Sequence, residues 1–249
     1  MSARRFDGRS VIVTGSSRGL GRDIAVAFGA EGARVGVTYR TRANEAEETA
    51  ERVRAAGGSA ITLPLDIRDP DSVEDAFGAF AADAPIDALV NNAAEVRDHP
   101  FLTLGPEEWQ AVIEANLTGT YRCCRAVAPA MMARRSGAIV NLASVAGRRA
   151  SPGQANYAAA KAGVIGLTKT LGAELAPYGV RVNAVAPGIL STGMGARLDR
   201  RIASAHAANI PVGRFGDGRE VAGAVLFMAS DECTYVIGQC LTVDGGLSL

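Results

Sequence analysis

Tyr157 and Lys161 stand four apart in Tyr-Ala-Ala-Ala-Lys, at the opening of a helical stretch. Residues i and i+4 share a helix face, so phenol and ammonium point into the same space. A free tyrosine has a pKa near 10, and a neighbouring positive charge is expected to lower it. Such a phenol can hand a proton to an oxygen that is gaining charge, or take one back. Taken alone the pair is more often an ordinary exposed helix pair; its company gives it weight. Ser144 follows the apolar run Ala138–Ala143, where its hydroxyl can polarise and orient a carbonyl oxygen or serve as a plain turn residue. Asn116 lies inside a helical pattern over 107–134, and asparagine is a poor helix former. A polar break there can hold water behind Lys161 and open a proton path to solvent.

A second set of residues suits a phosphate. An apolar run passes directly into Thr14-Gly15-Ser16-Ser17-Arg18-Gly19-Leu20-Gly21, and a helical pattern starts at once. Glycines there allow a tight turn and close backbone approach to a pyrophosphate, which a helix N-terminus attracts. The bland alternative is a tight turn with no ligand, which the alternating context disfavours. Dinucleotide folds that take NAD carry an acid about 20 residues further on, bonded to the adenosine ribose. Here the second apolar run ends in Tyr39-Arg40-Thr41-Arg42, with no acid until Glu45. A guanidinium at Arg40, with Arg18 opposite it in the glycine loop, suits a ribose 2′-phosphate that a carboxylate would repel. The expectation is therefore NADP(H) rather than NAD(H). Asp66 can accept from an adenine amino group; it can also cap the helix after Pro70 or the turn before it.

The elements that must position these groups alternate. Ser10–Thr14, Ala33–Tyr39, Ala60–Leu65, Ala88–Asn91, Ala138–Ala143, Val180–Ala186 and Gln239–Val243 read as strands, with helical stretches near 19–30, 44–56, 71–82, 107–134, 155–177 and 217–229. Strands this apolar, separated by helices, imply a parallel sheet with both faces covered. Thr14, Asn91, Asn92, Ser144 and Asn183 sit at or near the carboxyl ends of strands, where open parallel sheets bind ligands. The expected fold class is α/β, a Rossmann-type doubly wound fold of one domain over 1–249. Within it, 188–216 is read as a substrate lid, with short amphipathic helices in Gly195–Asn209.

Composition narrows the class of function. Lysine plus arginine equals aspartate plus glutamate at 26 each, which gives no reason to expect nucleic acid or a membrane surface as partner. The four cysteines lack ligand or disulfide spacing, so no metal site is expected and all four read as reduced structural residues. The opening MSARRFDGRS resembles neither a secretion signal nor a membrane span, and the protein reads as cytoplasmic.

The glycine loop, Asn91-Asn92-Ala93-Ala94, Asn116, Ser144, Tyr157-Ala-Ala-Ala-Lys161 and Pro187-Gly188 together resemble the short-chain dehydrogenase/reductase family, in the family's order and over essentially the whole chain. The resemblance implies a seven-stranded parallel sheet and a catalytic tetrad at Asn116, Ser144, Tyr157 and Lys161. It implies cofactor contacts at Gly15, Ser17, Arg18, Leu20, Arg40, Asp66, Ile67, Asn92, Ala93, Leu190 and Thr192. Gly19, Gly21, Pro187 and Gly188 belong to the same motifs. Lys161 would also hold the nicotinamide ribose. The family usually has glycine where this chain has Ala94, which puts one extra methyl beside the cofactor.

Three stretches, Gly153–Gly163, Ile210–Gly216 and the ending from Ile237, look most like bacterial 3-oxoacyl-(acyl-carrier-protein) reductases. That implies reduction of a β-ketoacyl thioester by NADPH, an acyl carrier protein as partner and a homotetramer. Of the basic positions used for carrier docking, Arg135 is kept but Tyr178 replaces the second. Arg148 and Arg149 can restore that charge, select an anionic substrate, or be solvated loop residues. His99 and His206 form no triad with Ser144. Other readings are a sugar, alcohol or polyketide dehydrogenase of the same family, and a non-catalytic cofactor-binding sensor.

Overall fold

The structure is a computed structural model that describes residues 4–192 and 206–249. Seven parallel strands form one sheet: β1 (Ser10–Val13), β2 (Arg34–Tyr39), β3 (Ser59–Pro64), β4 (Ala88–Asn91), β5 (Gly137–Leu142), β6 (Val180–Pro187) and β7 (Cys240–Val243). Their spatial order is β3-β2-β1-β4-β5-β6-β7. The chain winds outward from β1 in one direction and then from β4 in the other, so a crevice opens at the carboxyl ends of β1 and β4.

Side chains alternate across each strand, and the two faces bury separate cores. Val11, Val13, Val35, Val37, Val90 and Val140 face one layer, built of α1 (Gly19–Ala30), α2 (Ala43–Ala55) and α7 (Gly218–Ala229). Ile12, Leu63, Leu89, Ile139 and Val182 face the other, built of α3 (Pro70–Ala81), α5 (Gly119–Arg134) and α6 (Ala155–Leu175). Burial on both faces explains why these strands read as unbroken apolar runs.

Element ends shift by a residue or two from the sequence reading, as frayed ends do. The larger correction lies in 107–134. It is not one helix but α4 (Pro106–Ile113), a π-helical turn at Glu114–Thr118, and then α5. Asn116 sits inside that turn, so the poor helix former marks a real irregularity. Cys123, Cys124 and Cys233 are buried, Cys240 is half-buried, and all four are unpaired. Among the described residues there is no metal-binding cluster and no helix long and apolar enough to cross a membrane. Part of the proposed lid, 193–205, lies outside the described residues, and with it most of the stretch Gly195–Asn209 expected to form short helices.

Candidate active site

The glycine loop is shaped by its own packing. Gly15 adopts φ +64°, and a Cβ there would stand 2.8 Å from the Ala93 Cα. A Cβ on Gly21 would meet the Gly15 carbonyl oxygen at 2.4 Å, so Gly21 lets α1 close onto the loop. Gly19, at φ +55°, opens onto free space. α1 begins there without a side-chain cap and without an acid in its first turn, which leaves its N–H groups to an external acceptor.

Neighbouring side chains lock this loop. Thr38 Oγ1 accepts from the Gly15 amide, and Ser16 Oγ accepts from the Thr38 amide. Arg22 donates twice to the Ser17 carbonyl and once to Thr49 Oγ1. Arg22 escaped the sequence reading because nothing in its spacing predicts a partner in α2. Asn92 also proves to be a brace. Its Nδ2 donates to the carbonyls of Thr14 and Gly15, while Thr14 Oγ1 accepts from the amides of Asn92 and Ala93. Ala94 is exposed beside this junction.

Asp66 corrects one expectation. The cap of α3 is Asp69, which accepts from the Asp71 amide. Asp66 instead accepts from the amide of Arg68, closing the turn before the helix, and from its guanidinium. Those bonds hold its carboxyl below the usual range. Ile67 is buried in the core, with its Cδ1 2.8 Å from where a Gly119 Cβ would stand. Only its main chain is left to face the crevice. Gly188 approaches Asp244 so closely that a Cβ would lie 2.7 Å from the Asp244 Cβ, which packs the Pro187-Gly188 turn against the segment after β7. Leu20 and Leu190 are half-buried against the core.

The four groups that resembled a tetrad converge at the other end of the crevice. Tyr157, on the first turn of α6, is buried among Val112, Ala146, Ala160 and Leu117. The Ser144 hydroxyl lies near enough to favour the ionised phenol, and its oxygen accepts from the Ala146 amide at 3.1 Å. Lys161 Nζ stands 5.5 Å from the centre of the Tyr157 ring and donates to the Leu142 carbonyl at 2.6 Å. Gly147 makes the assembly possible. A Cβ there would collide with the Lys161 carbonyl carbon at 2.7 Å, so only glycine lets the turn carrying Ser144 lie flat on α6. Asn116 Nδ2 donates to the Glu95 and Val112 carbonyls at 2.7 and 2.8 Å, and its Oδ1 is buried without a partner.

The electrostatics reverse one expectation. The sequence predicts that Lys161 lowers the Tyr157 pKa. Burial instead pushes the phenol up to about 12, with the Ser144 hydroxyl opposing and the Asp98 charge adding. Burial likewise pushes Lys161 down to about 8. Desolvation dominates because both groups lie in an apolar setting that disfavours the charged form of each. At neutral pH, Tyr157 is a protonated phenol beside an ammonium.

Other candidates fall elsewhere. Arg148 and Arg149 donate to the carbonyls of Cys240 and Leu247, so both fasten the turn after Ser144 to the C-terminal segment rather than standing free. Arg135 is the C-cap of α5 and donates to the Pro177 carbonyl. It precedes β5, whereas Ser144 follows it, and the six residues of that strand, at about 3.3 Å each, lie between them. Arg135 and Tyr178 therefore lie at the opposite end of the sheet from this chain's own crevice. Arg135 lines a cavity of about 250 Å³ there, whose Arg5, Arg9 and Arg181 are engaged by Glu31, Asp231 and main-chain carbonyls. His99 and His206 are exposed, and neither is hydrogen-bonded to Ser144.

The crevice suits a phosphorylated dinucleotide on its own evidence. The open, uncapped N-terminus of α1 lies between the tetrad side and Arg40, whose side chain is about half exposed (52%). Thr192 Oγ1 is buried without a partner.

Comparison with known proteins agrees. A family model described as enoyl-(acyl carrier protein) reductase matches residues 15–248. The 3-oxoacyl-(acyl-carrier-protein) reductase of Escherichia coli K12 is 42% identical over 243 residues, covering 97% of this chain and 98% of that protein. The Synechocystis enzyme of the same name is 44% identical over 238 residues, 95% of each chain. A crystal structure of a 3-oxoacyl-(acyl-carrier protein) reductase from Brucella melitensis superposes with a TM-score of 0.94 at 37% identity, over 99% of this chain and 93% of that one. Another from that organism, with bound NAD, gives 0.91 at 36% identity, over 100% and 95%.

Proposed function

The chain belongs to the short-chain dehydrogenase/reductase family, and from that premise we propose that it reduces the keto group of 3-oxoacyl thioesters to the secondary alcohol with NADPH. The carrying observation is the buried Tyr157 phenol, near enough to Ser144 for that hydroxyl to favour its ionised form, with the buried Lys161 ammonium 5.5 Å from its ring. When bound, the reduced nicotinamide supplies the hydride. Ser144 and Tyr157 hold the substrate oxygen through their hydroxyls, and Tyr157 gives its proton as charge develops on that oxygen. Lys161 stabilises the phenolate left behind and takes the nicotinamide ribose hydroxyls. Asn116, its Oδ1 facing no protein donor, holds the water that returns the proton.

The apolar cluster of Val145, Ile189, Ile210, Phe215 and Leu247 adjoins Ser144 and suits an acyl chain under the proposed lid. The test is loss of NADPH absorbance with acyl thioesters, small ketones and polyols in parallel. Turnover of polyols alone, or of nothing, would overturn the reading.

We further propose a cytoplasmic homotetramer that takes carrier-bound acyl substrates. Ala159, Ala162, Gly166 and Ala173 are exposed along α6 at helical spacing, and Trp109 and Tyr121 are exposed on α4 and α5. A face of small and aromatic residues suits burial against another copy. Because Arg135 lies far from its own crevice, it would meet a carrier protein only at the crevice of a neighbouring subunit. Light scattering showing a monomer at micromolar concentration would refute this assembly.

A further inference from the structure

We propose that Glu95 sets how strongly the site prefers a phosphorylated over an unphosphorylated dinucleotide, by competing with the ribose 2′-phosphate for Arg40; this rests on the NADPH reading above. Glu95 lies in the loop after β4, next to Ala94, and collects three guanidinium groups. Its Oε1 accepts from Arg97 at 2.7–2.8 Å. Its Oε2 lies 3.9 Å from one nitrogen of Arg40 and 3.9 Å from one of Arg68. Those last two distances exceed a hydrogen bond, so charge alone holds the groups together.

The two cations are not equivalent. Arg68 is committed to Asp66 through several hydrogen bonds. The Arg40 side chain is exposed and, among the described residues, makes no hydrogen bond and has Glu95 as its one ion-pair partner. Arg42 and Arg22 are occupied by Glu45 and by the glycine loop. A 2′-phosphate arriving at the end of β2 therefore finds Arg18 and Arg40 as its cations, and must share Arg40 with a carboxylate of its own sign. A 2′-hydroxyl carries no charge and meets no such competition. Glu95 therefore weakens one ligand and spares the other, which makes it a specificity-determining residue rather than a catalytic one.

The test is calorimetric titration of the full-length protein, with no turnover involved. The ligands are NADP+, NAD+, adenosine 2′,5′-bisphosphate and adenosine 5′-monophosphate. Glu95→Gln keeps the shape, the Arg97 contact and the main-chain carbonyl that Asn116 uses. An exposed ion pair contributes little, so the variant should bind NADP+ and the bisphosphate about threefold tighter, about 0.65 kcal/mol. NAD+ and the monophosphate should stay unchanged. In an Arg40→Ala background the gain should vanish. Weaker NADP+ binding in Glu95→Gln, or equal changes for all four ligands, would overturn the proposal. If Arg40→Ala weakens NADP+ while Glu95→Gln changes nothing, the proposal alone falls. If Arg40→Ala leaves NADP+ untouched, the phosphate reading fails and takes the proposal with it.

Discussion

Replacing Lys161 with methionine should abolish turnover and yet make the cofactor-free protein more stable. The ammonium is almost wholly buried, and burial pushes it from 10.5 down to about 8. Each pH unit between the folded and unfolded values corresponds to 1.36 kcal/mol, so holding the charge inside at pH 7 costs about 3 kcal/mol. Methionine fills much the same volume without a charge. What it gives up is the hydrogen bond to the Leu142 carbonyl; leaving a buried acceptor without that partner costs about 1–3 kcal/mol. The net expectation is a gain of up to about 2 kcal/mol, in line with other replacements of buried charges by apolar side chains. For a chain of this size that raises Tm by up to about 8 °C.

The pH dependence supplies a sharper check. The folded value lies below the unfolded one, so between pH 8 and 10.5 the unfolded chain still binds the proton that the folded protein has released. Stability of the wild type therefore rises with pH across that window. The advantage of the methionine variant should be largest at pH 7 and shrink steadily toward pH 10. The assay is thermal unfolding at fixed protein concentration, because oligomerisation makes Tm concentration-dependent. A methionine variant less stable than wild type at pH 7, or an advantage that does not change with pH, would refute the reasoning that the site holds its charge at the expense of the fold.

Tyr157→Phe should fold and bind NADPH as the wild type does, while turnover falls about 10²–10⁴-fold; wild-type-like activity would sink the proton-donor role. Arg40→Asp should weaken NADPH at least about tenfold and leave NADH unchanged or improved, because an arginine–phosphate contact contributes about 1.5–3 kcal/mol; equal losses for both in kcat/KM would make Arg40 a surface residue. Gly21→Ala sets a Cβ against the Gly15 carbonyl oxygen, so both dinucleotides should lose affinity together in equilibrium titration. A selective loss of one would show that Gly21 contacts the ligand rather than shaping the loop.

The fold was legible because its signals are local and repeated. Val11 and Val13 face one layer and Ile12 the other, and that double burial is what makes each strand an apolar run. The convergence of Ser144, Tyr157 and Lys161 was legible because strand ends and an i, i+4 spacing both point to one crevice. The missing parts depend on partners far along the chain. Arg22 binds the Ser17 carbonyl and Thr49, Glu95 gathers arginines from two other strand ends, and Gly147 is required by the backbone of α6. No periodicity encodes such pairings. The direction of the Tyr157 shift was misjudged for the same reason, since the Lys161 charge can be read from the sequence but the depth of burial cannot.

Departures from good local structure are concentrated where the chemistry is proposed. The three buried side-chain atoms without a partner among the described residues belong to Asn91, Asn116 and Thr192, all near the carboxyl ends of strands. The π-helical turn interrupts the helix at Asn116 and leaves its Oδ1 unpaired; a regular α-turn would present that amide in a different direction. α1 opens with neither a side-chain cap nor an acid in its first turn, unlike α3 and α7, which Asp69 and Asp217 cap. A buried ammonium, an orphaned amide oxygen and an uncapped N-terminus each cost stability, and each offers a contact that a bound ligand or water can complete. Sequences ordinarily satisfy such groups, and they break the rule at functional sites. The buried ammonium and the orphaned amide oxygen lie along the crevice where the activity is proposed, while the arginines of the cavity at the opposite end of the sheet are all engaged.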